Sequence, residues 1–507
     1  MQKLKLILSG CLLVFSLSII QAQPTFIKDS LNNYIQNGMH NWNIPGLSIA
    51  IIKDGKTVVM KGYGVANTTT NEPVNENTLF MIASNSKLFT ATSLSQLAYD
   101  HKLSLNDKII KYFPDFQLYD TAVTKMVTIR DMLSHHLGTK TFQGDFSFWD
   151  SKNSRQQIMY KMRYLKPSGT FRQDYGYCNS CFLTAGEIIP KVTGKPWEVY
   201  VYDSLIQPLG MTHTHTLGYS MDRMPNAATP YTTAFTGKLT AIPYDQVDNL
   251  APAGSLVSCV ADLAKWLIMQ LDSGRYQSKQ IVPWEVLRTT REMATIISSS
   301  KRGESHFSGY GLGIFETDYH GKQVFWHTGG AFGFVTNTCF VPELNLGITI
   351  LTNQDNQEFF ELLRYQILNA YLNVPYENLS NIALPGFMDE QQYEIKKIEG
   401  WKKRFKGNAP PLPLKMYTGT FENKLYGTIT ITAQPNSQGT LHIQFNSHNN
   451  LTAYLQYLDN DEWLLTYSNP AFGIFTTSFL TKNNTVTGIS IKASDFVEYD
   501  PYLFTRK

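Results

Sequence analysis

Ser84 and Lys87, three apart in Ser84-Asn85-Ser86-Lys87, are the residue types that covalent acyl chemistry needs. A serine hydroxyl is a poor nucleophile until a neighbour takes its proton, and a lysine kept neutral by burial or by a second cation can take it. The apolar spacing of Leu88 to Tyr99 predicts a buried helix directly behind the pair. At a helix start, a spacing of three puts both side chains on one face, close enough to touch. The free N–H groups of such a helix end can also bind a developing oxyanion.

The pattern alone is weak, because Ser298-Ser299-Ser300-Lys301 matches it too, in a polar stretch where no helical pattern starts. Tyr-x-Asn, a phenol for proton transfer beside an amide, occurs at Tyr177, Tyr371, Tyr376 and Tyr467. His-x-Gly occurs at His136 and His327. Order and context must choose among them.

Around these residues the elements alternate in type. A helix is expected from Phe26 to Trp42, then a strand over Ile44 to Ile52, a hairpin turn at Asp54-Gly55, and a returning strand over Thr57 to Tyr63. From about Ser104 to Gly274, helical patterns alternate with long loops. Strands are expected again at Gly311 to Glu316, Gln323 to Trp326, Thr336 to Val341 and Gly347 to Thr352. Strands at both ends with helices between imply an α/β fold in which one antiparallel sheet is assembled from distant parts and flanked by a helical subdomain. Asp389 to Lys406 reads as a charged helix and Asn408 to Pro413 as a stiff linker. Four short runs beyond it, at 428–432, 441–445, 463–467 and 485–492, read as a small all-β, barrel-like domain. The expected division is therefore 1–22 leader, 23–380 catalytic domain, 381–413 helix and linker, and 414–507 β domain.

The leader has Lys3 and Lys5, the 15-residue apolar stretch Leu6 to Ile20, and Ala22 at a cleavage pattern, which together predict an exported protein, periplasmic or secreted, beginning near Gln23. That stretch falls short of the roughly 20 residues a spanning helix needs, so membrane insertion is not expected after cleavage. Leu8-Ser9-Gly10-Cys11 matches a lipoprotein box, but the apolar run continues past Cys11 and hardly begins before it, which argues against lipidation. Without the two leader lysines the 44 basic residues fall to 42 against 41 acidic, a balance with no footprint for nucleic acid. Cys178 and Cys181 have redox-pair spacing, but no second Cys or His pair stands at ligand distance, so they are read as packing thiols. No ligand cluster or phosphate loop calls for a metal or organic cofactor.

Six blocks in order resemble the serine β-lactamase and penicillin-binding protein superfamily, in its class C β-lactamase, D-aminopeptidase and esterase branch. They are Pro45 to Ala50, Phe80 to Ala91, Thr128 to His135, Tyr177-Cys178-Asn179 with Gly186 to Gly194, Pro252 to Leu256, and His327-Thr328-Gly329-Gly330 with Gly333-Phe334. The region from Tyr417 onward resembles a β module often appended to such proteins. The resemblance implies that Ser84 is acylated, that Lys87 activates it, and that Tyr177 acts with Lys87 as base and later as acid. It implies that Asn179 bonds Lys87 or a substrate amide, and that His327-Thr328-Gly329 runs on an edge strand beside Ser84. The N–H groups of Ser84 and Gly330 would then form the oxyanion hole. In this scheme the Lys87 ammonium pushes Tyr177 toward its anion. His135 and His136 are expected to pack in a loop.

β-Lactamases usually carry lysine where His327 stands, and histidine would offer a weaker, pH-dependent charge. That departure favours the D-aminopeptidases, esterases and acyltransferases of the branch. The leading expectation is a serine hydrolase cleaving a small ester or D-residue peptide through acyl-Ser84. The alternatives are acyl transfer to the hydroxyl of a large apolar acceptor, and a penicillin-binding-like sensor without turnover. The partner is in each case a small-molecule or peptide acyl substrate.

Overall fold

The computed structural model describes residues 23–433 and 439–507. The leader and Cys11 lie outside the described residues. Among these residues no helix is long and apolar enough to cross a membrane.

The catalytic region is built on nine strands: β1 (Gly46–Lys53), β2 (Lys56–Asn67), β3 (Glu72–Pro73), β4 (Thr295–Ser298), β5 (Ser308–Tyr310), β6 (Phe315–Tyr319), β7 (Lys322–Ala331), β8 (Phe334–Val341) and β9 (Leu346–Thr352). Their order is β4-β5-β6-β7-β8-β9-β1-β2-β3, and each pairing is antiparallel. The two ends of the chain meet where β1 pairs with β9, Ile49 opposite Ile350. Because strand side chains alternate, Leu47, Ile49 and Ile51 face one side with Ile348 and Ile350, against Ile35 of α1 (Leu31–Asn41) and Leu363 and Ile367 of a later helix, Phe359–Tyr371. Ala50, Ile52, Phe340 and Leu351 belong to the larger core on the other side. That core includes Phe89 and Leu94 of α2 (Ser86–Tyr99), Phe182 of α3 (Asn179–Gly186), and Leu263 and Leu267 of α4 (Val260–Leu271). Both faces are covered, which is why β1, β8 and β9 are buried almost throughout, β8 even at Thr336, Asn337 and Thr338.

Two expectations are corrected. The strand expected at Gly311 to Glu316 begins only at Phe315, because Gly311 to Ile314 form a turn with Gly313 at φ +74°. The charged helix starts ten residues earlier than expected, at Leu379, and ends at Arg404; Pro385 lies within it. Eight further strands, β10 (Gly419–Asn423), β11 (Gly427–Ala433), β12 (Thr440–Phe445), β13 (Thr452–Tyr457), β14 (Glu462–Tyr467), β15 (Ile474–Lys482), β16 (Thr485–Ile491) and β17 (Tyr502–Arg506), close into a barrel. Closure comes from β10 pairing with β17.

Candidate active site

The chain enters the site through Phe80–Met81, paired with Val257–Ser258, and then turns sharply. Ala83 holds φ at +45°, a conformation disfavoured for any residue with a Cβ. The strain is fixed by Asn85, whose Nδ2 donates to Ile82 O at 3.1 Å and Thr336 Oγ1 at 2.9 Å. Ser84 thus lies on the 3-10 turn Ala83–Asn85 that runs straight into α2, while Lys87, one turn on, is fully buried beneath it.

Lys87 Nζ stands 3.0 Å from Ser84 Oγ. It donates to Asn179 Oδ1 at 2.7 Å and to the carbonyl of Ala253 at 2.8 Å. Burial pushes Lys87 down to about 7, against the opposing pull of Asp145. A neutral amine has two N–H donors and one lone pair. The ammonium finds three acceptors in Asn179 Oδ1, the Ala253 carbonyl and Ser84 Oγ; once it loses a proton and keeps the first two, its lone pair faces the serine hydroxyl. Asn179 is itself oriented by Asp145, whose Oδ2 accepts its Nδ2 at 2.6 Å.

Tyr177 lines the cavity beside Ser84, and its ring lies under Lys87 with Nζ 4.7 Å from the centroid. Burial raises the Tyr177 phenol and lowers Lys87 to about 7, so the site favours a neutral tyrosine and brings the ammonium–amine equilibrium of Lys87 close to neutral pH. His135 does more than pack in a loop. Its ring stacks on Tyr177 at 4.2 Å, and its Nδ1 accepts the N–H of Cys178 at 2.9 Å, which fixes the Tyr177-Cys178-Asn179 turn.

The His327 expectation is corrected in two respects. β7 is not an edge strand. It pairs with β6 only as far as Trp326, opposite Phe315, so 327–331 overhang β6 and keep β8 as their one neighbour. Its imidazole is no pH-dependent anchor either. Burial, reinforced by Lys87, pushes it down to about 3. Its nitrogens meet Tyr310 Oη at 2.9 Å and the Thr328 carbonyl at 2.6 Å. His327 is therefore a neutral residue that fixes the overhang.

Gly329 permits the overhang to reach the nucleophile, because a Cβ there would fall 2.0 Å from the Ile82 carbonyl oxygen. Gly329→Ala is expected to displace Gly330 from its place beside Ser84. The variant should lose at least tenfold in kcat for any ester the wild type turns over, with overpacking costing about 1–3 kcal/mol in thermal unfolding.

A cavity of about 510 Å³ opens above Ser84; its walls include Tyr177, Asn179, His327, Thr328, Gly329 and Gly330. Phe142, Trp149, Tyr175, Phe315, Phe496 and Tyr499 make it strongly aromatic. Its carboxyl-bearing lining residues are Asp145, Asp245 and Asp495, the first two hard to ionise because they are buried, and among the described residues no lysine or arginine lines it. The other Ser-x-x-Lys and Tyr-x-Asn matches do not line it. Among the described residues no group of three or more His, Cys, Asp or Glu is placed to hold a metal ion. Cys178 and Cys181 are buried free thiols.

Sequence reasoning did not find Asp145, the Ala253 carbonyl or Phe496. The Pro252 to Leu256 block was the one available signal for Ala253. It also supplies the Leu256 N–H that donates to Ser86 Oγ at 3.0 Å.

Residues 31–372 match the beta-lactamase family model, and residues 403–506 match a domain of unknown function, DUF3471. The unguisins hydrolase ungD' of Aspergillus campestris is 27% identical over 427 residues, covering 78% of this chain and 76% of that protein. Protein flp of Staphylococcus aureus (strain MRSA252) is 26% identical over 353 residues, covering 68% of this chain and 66% of that one. Among solved structures, the octameric penicillin-binding protein homologue from Pyrococcus abyssi shares the fold at a TM-score of 0.60 and 21% identity, covering 94% of this chain and 99% of that chain.

Proposed function

The chain belongs to the beta-lactamase family of serine hydrolases, and from that membership we propose that it cleaves a small ester or D-residue peptide through an acyl-Ser84 intermediate. The observation that carries this reading is the saturation of both Lys87 N–H groups by Asn179 and Ala253, which directs the remaining lone pair at Ser84 Oγ, 3.0 Å away. In acylation the hydroxyl proton passes to Lys87 Nζ as Oγ attacks the carbonyl carbon. The N–H groups of Ser84 and Gly330 receive the oxyanion. Tyr177, held as the neutral phenol, protonates the departing alkoxide or amine, and the Lys87 ammonium returns its proton to the phenolate. The Lys87 charge that appears in between is stabilised by the Tyr177 ring beneath it. Water then attacks the acyl-enzyme and the proton steps run in reverse. The 22-residue leader supports action outside the cytoplasm.

The cavity's aromatic walls and its lack of lysine and arginine favour a neutral or amine-bearing acyl group over a carboxylate. The test compares p-nitrophenyl butyrate with p-nitrophenyl hemisuccinate, which has the same chain length and an added carboxylate. The butyrate should have a kcat/KM at least tenfold higher; equal values would remove the charge argument. The same apolar volume favours one second reading, transfer of the acyl group to the hydroxyl of a large apolar acceptor. In that case a long-chain alcohol should raise the rate of p-nitrophenol release and appear as its butyrate ester.

A further inference from the structure

The C-terminal barrel meets the catalytic domain at several places, among them Phe475 against Phe235, Phe472 against Phe332, and the turn that carries Asp145. Phe146 projects into the mouth of the barrel and is fully buried there. Its ring lies 5.1 Å from that of Tyr502 in a stacked arrangement, 4.4 Å from His448 and 5.7 Å from Phe445. His448 Nε2 meets the Phe146 carbonyl at 2.8 Å. Glu498, on the segment between β16 and β17, is 2% exposed and spends its carboxylate on the other side of the same turn. One oxygen accepts the Gly144 N–H at 2.8 Å and the Tyr426 hydroxyl at 2.6 Å, and the other accepts the Phe146 N–H at 3.3 Å. The backbone on both sides of Asp145 is therefore held by the barrel. Asp145 in turn holds Asn179, and Asn179 holds Lys87.

We propose that Glu498 is a positioning residue for the proton acceptor, and that the barrel clamps the 144–146 turn so that Asp145 and Asn179 present Lys87 to Ser84. The proposal rests on the acyl-serine reading of Ser84 and gives the region matching a domain of unknown function a role in the reaction. Burial makes Asp145 hard to ionise, and repulsion from Glu498 adds to that. An ionised Asp145 would raise Lys87. The other groups facing Lys87 are Tyr177, His135, His327, Cys178 and Cys181; those facing Glu498 are Tyr426, Tyr502 and Asp500. Burial lifts the Glu498 carboxyl itself to about 7, so its charge is present above that value; removing it there loosens the turn and eases ionisation of Asp145, and the second effect pushes Lys87 upward.

The test is the rate at which a fluorophosphonate probe labels the full chain as a function of pH, with thermal unfolding in parallel. Wild type should show labelling that rises through an inflection near 7, where Lys87 loses its proton and Glu498 gains its charge. Glu498→Gln should label at least tenfold more slowly at pH 7.5, with its inflection moved up by roughly half a pH unit or more. Tyr426→Phe removes one bond to Glu498 with little change in volume, should slow labelling about threefold, and decides the question if Glu498→Gln does not fold. Wild-type rate and inflection in these variants would overturn the proposal. Slower labelling with an unmoved inflection would also overturn it, reducing Glu498 to a structural support. Labelling of Ser84→Ala at the wild-type rate would be a different failure, that of the acyl-serine reading itself.

Discussion

Replacing Ser84 with alanine should leave a folded protein that turns over no ester. The substitution removes one partly buried oxygen, and Lys87 keeps its bonds to Asn179 and Ala253, so stability should stay within about 1 kcal/mol of wild type. Activity depends on that oxygen as the atom that forms the new bond. With the oxyanion donors intact, only positioning and electrostatic assistance to water remain, and kcat should fall by about 10³-fold or more. Steady-state hydrolysis of p-nitrophenyl butyrate with parallel thermal melts checks both halves of this expectation.

Lys87→Met should be nearly as damaging, for a different reason. Methionine fills much of the same buried volume but has no lone pair to accept the serine proton, so kcat should drop by about 10²–10⁴-fold. The pH profile carries the sharper signature. Because burial holds Lys87 near 7, wild-type kcat/KM should rise with pH through that value as the ammonium becomes the amine. The Lys87→Met profile should lack this acid limb. Stability should respond with a definite sign. Between about 7 and 10.5 the unfolded lysine keeps a proton that the folded one has lost, so this residue makes stability increase with pH across that window. Denaturant titrations at pH 7 and 9.5 should therefore show a larger gain for wild type than for Lys87→Met.

The sequence made the nucleophile and its partner visible because their relation is local: three residues at a helix start, followed by a buried apolar run. Tyr177, Asn179 and the overhang at Gly329-Gly330 were visible through blocks whose order matched a known pattern. The residues that orient them were not, since their partners are distant in the chain. Lys87 reaches Ala253 across 166 positions, and Gly144 reaches Glu498 across 354. The direction of proton flow was also illegible. Whether an ammonium drives a tyrosine to its anion, or burial keeps the tyrosine neutral, depends on how completely the pair is desolvated, and spacing does not encode that.

The fold divides in the same way. β9 was legible as an apolar run, and β8 as a β-branched and aromatic stretch, with turn residues between them. Four of the eight barrel strands were seen. β13 alternates as regularly as β12 and was passed over all the same, β15 breaks its alternation at Phe475-Thr476 and again after Phe479, and β10 and β17 are short strands that make sense only once the barrel closes. The contribution of the barrel to the pocket through Phe496 and Tyr499 follows from domain docking, which no local pattern announces.

The most direct test of the account is intact-protein mass spectrometry within seconds of adding p-nitrophenyl butyrate at pH 8, followed over minutes, with peptide mapping of the adduct. The account predicts a transient gain of one butyryl group, located on Ser84, that forms and decays in wild type and is absent from Ser84→Ala. Ester turnover without any adduct on Ser84, or an equal adduct on the alanine variant, would contradict it.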